Sequence, residues 1–427
     1  MIDVKKEELA KETNKAILVA TRTSQEAKSS ESLIDELEEL CQNVGIYTAD
    51  KIIVNLKEIN SQFYVGKGKA EEIADTAKAL GADFIIFDEE ISPSQQRNWE
   101  RMSNLCVIDR HEIILDIFAD RAQTKEATLQ VELAKMEYSL PRLKRAWTHL
   151  SRQRGGGVTQ RGEGESQLEL DQRMVRAKIA KLKEKLEEVK TQRKLQRKKR
   201  QRTPVPCGAI VGYTNAGKSS LLNVLAKSDV LAQDKVFATL DPTTRKLNLP
   251  SEQTVLLTDT VGFIRNLPHQ FIDAFKATLE EALEADFLIH VVDSSSEDVF
   301  EHIQTTNEVL KELGSKDKDI ILAFNKSDLL KDDILKTQLY YQFPDAINIS
   351  VKTGDNIDSL LSKIEDIINK HSLVLELLIP HSDYHIIASL YEMGAIRNKK
   401  IEDEGTYLSV KVPKKMLVKL EKYLVKA

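Results

Sequence analysis

The stretch Gly212-Tyr213-Thr214-Asn215-Ala216-Gly217-Lys218-Ser219 has the spacing G-x-x-x-x-G-K-[ST]. An apolar strand precedes it and the helical SSLLNVLAK follows. Glycines at these positions let backbone N–H groups turn toward phosphate oxygens, and the positive end of the helix adds to the attraction. Lys218 can bring a point charge to the β- and γ-phosphates, and the Ser219 hydroxyl is placed to ligate Mg²⁺.

Three further segments fit the same chemistry in the same order. LLTDTVG puts Asp259 at a strand end, where its carboxylate can hold Mg²⁺ through water. Thr260 and Val261 lead from it to Gly262, whose N–H can meet a γ-phosphate. AFNKSD places Asn325, Lys326, Ser327 and Asp328 at another strand end. A carboxylate there accepts from guanine N1–H and its 2-amino group, donors that adenine does not offer in that arrangement. A site built for such donors rejects the analogue lacking them by roughly 10⁴–10⁵-fold. Ser350-Val351-Lys352 follows the strand AINIS and suits a backbone contact to the guanine oxygen. Together the four segments imply a GTP site with Mg²⁺ as cofactor and GTP/GDP as ligands.

Many GTPases carry glutamine after the glycine of D-x-x-G to orient the attacking water. Here Phe263 stands in that position and has no group to hydrogen-bond water. Slow intrinsic hydrolysis follows, with a partner supplying or ordering what is missing. Lys218 and Gly262 are then candidate catalytic groups.

The elements that must position this chemistry can be read from periodicity. From Cys207 to about Asn369 strands and helices alternate, the pattern of an α/β domain on a mostly parallel sheet. Residues 1–125 alternate similarly, with strands expected at AILVAT (16–21), DFIIFDEE (83–90) and NLCVIDR (104–110). Between these domains lie two apolar seams, Leu129, Leu133, Met136, Leu140, Leu143 and Trp147, then Leu168, Val175, Ile179, Leu182, Leu186 and Val189. Their steps of three, four and seven predict two helices folded antiparallel, with Pro141 interrupting the first. The tip of that hairpin is the glycine-rich RQRGGGVTQRGEGES (152–166). The expected domains are thus 1–125 (α/β), 126–203 (helical hairpin), 204–372 (nucleotide-binding α/β) and 373–427 (small α+β).

Charge gives the hairpin a role. From Arg142 to Arg202 there are 20 Lys/Arg against 7 Asp/Glu, on a chain whose net charge is −5. A slim basic hairpin with a glycine tip can enter an RNA cavity and neutralise phosphates. Arg152, Arg154 and Arg161 can pair with phosphate or stack on bases. The plain alternative is a coiled-coil brace with a solvated charged face.

FATLDPTTR (237–245), DTVGFI (259–264) and NKSD (325–328) together resemble the HflX family of P-loop GTPases, within the Obg–HflX superfamily. YVGKGKAEEI (64–73), ISPSQQRNWE (91–100), the long segment 109–138 and RGEGESQLELDQR (161–173) extend the resemblance over most of the chain. The resemblance implies that Thr239 is the switch threonine ligating Mg²⁺ and so a candidate catalytic group beside Lys218 and Gly262, with Thr243 and Thr244 as rival hydroxyls. It also implies that Phe237, Ala238, Thr239, Leu240 and Asp241 line the nucleotide. It further implies binding to the large ribosomal subunit and its rRNA, with splitting or rescue of stalled or idle ribosomes. One departure lies at the hairpin tip: members show GPGE where this chain has Gly162-Glu163-Gly164-Glu165. Other readings of the same features are an RNA-remodelling NTPase and a GTP-binding scaffold in ribosome assembly.

Several signals are weaker. YVGKGKAEEI could cradle a second nucleotide, but an ordinary βα turn or an RNA contact fits it better. His381 and His385 lack a third metal ligand, and Asp88, Glu89 and Glu90 read as an acidic strand end. Three scattered cysteines exclude a disulfide framework, and no apolar run approaches the length of a membrane span. A cytoplasmic monomer without a membrane partner is expected.

Overall fold

The computed structural model describes residues 14–22, 30–143, 163–200, 205–226, 237, 239–251, 253–265, 281–314, 318–402 and 404–425. The chain divides into two compact units, the first running through Glu188 and the second beginning at Val189.

In the first unit, β1 (Lys15–Arg22), β2 (Tyr47–Asn55), β3 (Phe84–Phe87) and β4 (Cys106–Asp109) form a parallel sheet in the order β2-β1-β3-β4. The predicted strands at 16–21, 83–90 and 104–110 are β1, β3 and β4; β2 is a further strand. Helices α1 (Ser30–Asn43), α2 (Lys67–Ala79) and α3 (Pro93–Ser103) make the crossovers. β1 is inaccessible from Ala16 to Ala20, as a strand covered on both faces requires. Trp99 is fully buried, donates its indole N–H to Phe63 O at 2.7 Å, and meets Phe63 and Phe87 edge-on. Ser92 and Gln95 form a reciprocal capping box that starts α3.

Helices α4 (Arg110–Arg121) and α5 (Lys125–Ser139) follow, and Pro141 falls in a 3₁₀ turn, Leu140–Arg142, that ends α5. The second predicted seam lies on α6 (Glu163–Arg200). There Leu182 and Leu186 are buried, and Lys178 and Lys183 pair with Glu132 and Glu137 of α5 at 2.7 and 2.8 Å. The tip residues Arg152, Arg154 and Arg161 lie outside the described residues.

A buried ionic network ties α5 to the sheet. The Arg110 guanidinium, fully buried, pairs with Asp88 at 2.8 Å and Glu36 at 2.9 Å. Asp109 accepts from Tyr138 Oη at 2.8 Å and faces the Arg142 guanidinium at 3.4 Å. Buried charges persist only with such partners.

The second unit carries a six-stranded sheet in the order β10-β9-β8-β5-β7-β6. Its strands are β5 (Cys207–Val211), β6 (Thr243–Asn248), β7 (Thr254–Asp259), β8 (Phe287–Asp293), β9 (Asp319–Asn325) and β10 (Ile347–Asn348). All neighbours are parallel except β6, which runs antiparallel to β7. Helix α7 (Lys218–Leu225) leaves β5, α8 (Val299–Glu312) follows β8, α9 (Asp333–Gln342) follows β9, and α10 (Ile357–Lys370) follows β10. Leu221, Leu222 and Leu225 of α7 share a core with Ile210, Leu257, Ile289 and the α10 residues Leu360 and Ile364. The end of the unit is a three-stranded antiparallel sheet, order β11-β13-β12, of β11 (Ser372–Ile379), β12 (Ile396–Glu402) and β13 (Gly405–Pro413). Helix α11 (Tyr384–Glu392) packs on it, and residues 414–423 make 3₁₀ turns with one α-turn. The architecture is α/β with a P-loop domain and a small α+β appendage. Among the described residues no helix is long and apolar enough to cross a membrane.

Candidate functional site

The carboxyl ends of β5, β7, β8 and β9 bring the predicted segments to one edge of the six-stranded sheet, where open α/β sheets hold ligands. The loop after β5 is shaped by two glycines with positive φ. Gly212 has φ 144°, and a Cβ there would lie 2.1 Å from Val291 O. Gly217, φ 93°, caps α7, and a Cβ there would lie 2.3 Å from Asn325 Nδ2. No larger residue fits either place. Asn215, Phe237 and Lys326 also have positive φ, between 54° and 60°. Such non-glycine conformations gather where the surrounding structure over-determines them.

Lys218 is buried, and its Nζ donates to Tyr213 O at 2.7 Å. Burial pushes its pKa down to about 8, while Asp259 pulls the other way. Burial likewise raises the Asp259 carboxyl, opposed by Lys218 and by the hydroxyls of Ser219 and Thr239. Those three oxygens converge. Ser219 Oγ and Thr239 Oγ1 lie 2.6 and 2.7 Å from Asp259 Oδ2 and 2.8 Å from each other. Asp259 Oδ1 is buried and has no hydrogen-bond partner among the described residues. Three hard oxygen donors with one buried carboxylate oxygen unspent suit a small divalent cation such as Mg²⁺. The rival threonines sit in β6: Thr243 is exposed, and Thr244 Oγ1 is engaged by Thr258 Oγ1 at 2.9 Å. Phe237 and Leu240 are buried, Asp241 is half-buried, and Ala238 lies outside the described residues.

The turn after β7 lies against the P-loop. Thr260 Oγ1 donates to Ile210 O at 2.7 Å, and Val261 is buried. Phe263 N–H donates to Gly212 O at 3.0 Å, and Thr214 N–H to Phe263 O at 2.8 Å. The Phe263 ring is buried, so it presents nothing to a water in the cleft. Gly262 comes so close that a Cβ would meet Lys218 Nζ at 2.8 Å and Thr214 Cα at 2.9 Å.

Asn325 joins three loops. Its Nδ2 donates to Ala216 O at 2.8 Å, its Oδ1 accepts from Val351 N at 3.0 Å, and its carbonyl accepts from Ser294 Oγ at 2.8 Å. Ser327 N–H donates to Ile349 O at 3.2 Å, Asp328 Oδ1 accepts from Ser350 Oγ at 2.6 Å, and Lys352 is exposed beside them. Two contributors escaped the sequence reading. Asp293, at the end of β8, pairs with Lys326 at 2.7 Å, and its place at the end of DFLIHVVD could have signalled it. Arg265, three residues beyond Gly262, donates its N–H to Tyr213 Oη at 2.9 Å, and no sequence pattern marks it.

Residues 31–119, 121–200 and 208–326 match family models described as GTP-binding GTPase N-terminal, GTP-binding GTPase Middle Region and 50S ribosome-binding GTPase. The chain is 46% identical over 410 residues to a GTPase HflX of Akkermansia muciniphila, covering 93% of this chain and 94% of that protein. It is 40% identical over 400 residues to the GTPase HflX of Escherichia coli, covering 93% of each. A GTP-binding protein from Sulfolobus solfataricus, solved in complex with GDP, aligns at 27% identity and TM-score 0.45, over 83% of this chain and 98% of that one. With identities of this size over nearly the full length, on a sheet edge built as described, the chain belongs to the HflX family of GTPases.

Proposed function

We propose that this GTPase binds GTP and GDP with Mg²⁺ at the carboxyl edge of the second unit's sheet and acts on the large ribosomal subunit, splitting or rescuing stalled or idle ribosomes. The observation that carries the nucleotide reading is the convergence of Ser219, Thr239 and Asp259 beside Lys218. Those three residues would hold Mg²⁺, which supplies charge neutralisation for the β- and γ-phosphates when bound. Lys218 exchanges its bond to Tyr213 O for phosphate oxygens. Gly262 offers its N–H to the γ-phosphate, and Asp328 with the Ser350–Lys352 loop reads guanine. Because the Phe263 ring is turned into the protein, no side chain at that position orients water, and hydrolysis is slow until a partner orders the site.

The partner reading is supported by the basic excess between Arg142 and Arg202 and by the description, 50S ribosome-binding GTPase, of the family model matching 208–326. Arg152, Arg154 and Arg161 contact rRNA in this reading. Co-sedimentation with large subunits, with GTP, GDP or a non-hydrolysable analogue across a salt series, tests it. More protein should pellet with triphosphate, and less as salt rises. Deleting 153–164 should weaken pelleting while GTP affinity holds. Equal pelleting with GTP and GDP at every salt concentration overturns the reading.

A further inference from the structure

With Phe263 unable to hydrogen-bond water, hydrolysis leans on where the 259–265 turn holds Gly262. Arg265 holds the turn to two elements at once. Its backbone N–H donates to Tyr213 Oη at 2.9 Å. Its guanidinium reaches helix α8, donating to Glu301 Oε2 at 2.9 Å and lying 3.6 Å from Asp298 Oδ2. The Tyr213 ring returns to the same helix and stacks on His302 at 3.8 Å between centroids, 14° from parallel. Asp298, Glu301 and His302 are spaced i, i+3, i+4 and therefore share one face of the first turns. A closed circuit results: α8 to Arg265, Arg265 to Tyr213, Tyr213 to α8.

The circuit has a buried part and an exposed part, since the Glu301 carboxylate is half exposed. The Arg265 side chain is 11% exposed and that of Asp298 19%, so their attraction is only partly screened. Asp298 occupies the N-cap position of α8 without a side-chain capping bond, and the positive helix end there favours its carboxylate. On the far side of Ile264, the Phe263 N–H and carbonyl are both bonded to the P-loop backbone, to Gly212 and Thr214. These contacts hold the chain just after Gly262, and Thr260 Oγ1, donating to Ile210 O at 2.7 Å, holds it just before, so Gly262 is fixed next to Lys218.

We infer that Arg265 is a positioning residue for GTP hydrolysis: bound to Tyr213 and α8, it sets where Gly262 presents its N–H. The inference rests on the reading of Gly262 as the γ-phosphate contact. A displacement of about 1 Å at a reacting group costs on the order of 100-fold in rate, so a side chain that touches no nucleotide can still govern turnover.

Single-turnover GTP hydrolysis and GDP affinity, measured on the full chain, test it. Arg265→Ala should slow hydrolysis by about tenfold or more and leave GDP affinity within about twofold, since GDP lacks the phosphate that Gly262 meets. Arg265→Lys, which can reach one of the two carboxylates, should recover part of the rate. Adding Asp298→Asn and Glu301→Gln to Arg265→Ala should cost little more, because the circuit is already open. Tyr213→Phe keeps the stack and the carbonyl facing Lys218 but loses the acceptor for Arg265 N–H, and it should shift the rate in the same direction. That variant carries the test if Arg265→Ala does not fold. Wild-type turnover alongside an unchanged rate in Arg265→Ala overturns this inference alone, as does a loss of GDP affinity equal to the loss of rate. A wild-type chain that fails to hydrolyse GTP overturns the reading of the site as well.

Discussion

Ser350 Oγ donates to Asp328 Oδ1 at 2.6 Å, joining the loop after β9 to the loop after β10. The bond orients a carboxylate whose side chain is otherwise exposed, and Asn325 braces the same two loops through Val351 N–H. A purine lying against this edge would find its acceptor already aimed.

Asp328→Asn should therefore lose the acceptor for guanine N1–H and the 2-amino group. GTP affinity should fall by roughly 10²–10⁴-fold, while xanthosine triphosphate, whose 2-oxo group accepts from an amide, should gain. Titration of both nucleotides against wild type and variant checks this, and retained guanine preference refutes it.

Lys218 makes a prediction in pH. Burial lowers its pKa to about 8, against an ordinary 10.5, so the ammonium is lost as pH rises through about 8. Phosphate binding needs the charged form, and the protein must take up a proton to bind GTP at pH 8.5–9. Calorimetry in two buffers of different ionisation enthalpy should show that uptake. Between about pH 8 and 10.5 the unfolded chain binds more protons here than the folded one, so this group's contribution to stability rises with pH in that window.

Gly262→Ala puts a methyl group 2.8 Å from Lys218 Nζ and 2.9 Å from Thr214 Cα. The lysine tip can move, but the Thr214 backbone is pinned by its bond to Phe263 O. Hydrolysis should fall by at least about 100-fold with GDP binding retained. Rapid-quench turnover and GDP titration decide it.

In the first unit, Glu89 Oε1 accepts from Thr21 N–H and Thr21 Oγ1 at 2.7 and 2.6 Å. Burial nonetheless raises its pKa to about 7, the two Thr21 bonds opposing and Asp88 adding to the rise. The folded chain then holds a proton here that the unfolded chain releases near 4.5, so stability falls as pH rises from about 4.5 to 7. The effect is at most about 3 kcal/mol. Glu89→Gln keeps the acceptor and loses the charge. Its urea midpoint should exceed that of wild type at pH 8 and converge with it at pH 5.

How much of this was readable beforehand differs by element. The P-loop was legible because its glycines, lysine and serine are neighbours in the chain, and local spacing alone states their geometry. β2 was not picked out because YTADKIIVN mixes charged and apolar residues, and only its parallel partner β1 explains it as an edge strand. β6 went unread for a similar reason: TTRKLN is polar and becomes a strand by pairing with β7.

The amino-acid order by itself determined the family, the four nucleotide segments and the alternating layers, since each is written in contacts between residues a few positions apart. The resemblance favoured Thr239 over Thr243 and Thr244, but only the tertiary structure decided that its hydroxyl meets Ser219 at Asp259, and that Arg265 grips α8 and Tyr213 together. Those relations join residues 20 to 52 positions apart. Their distances depend on how strands and helices pack, and no local pattern in the chain encodes that.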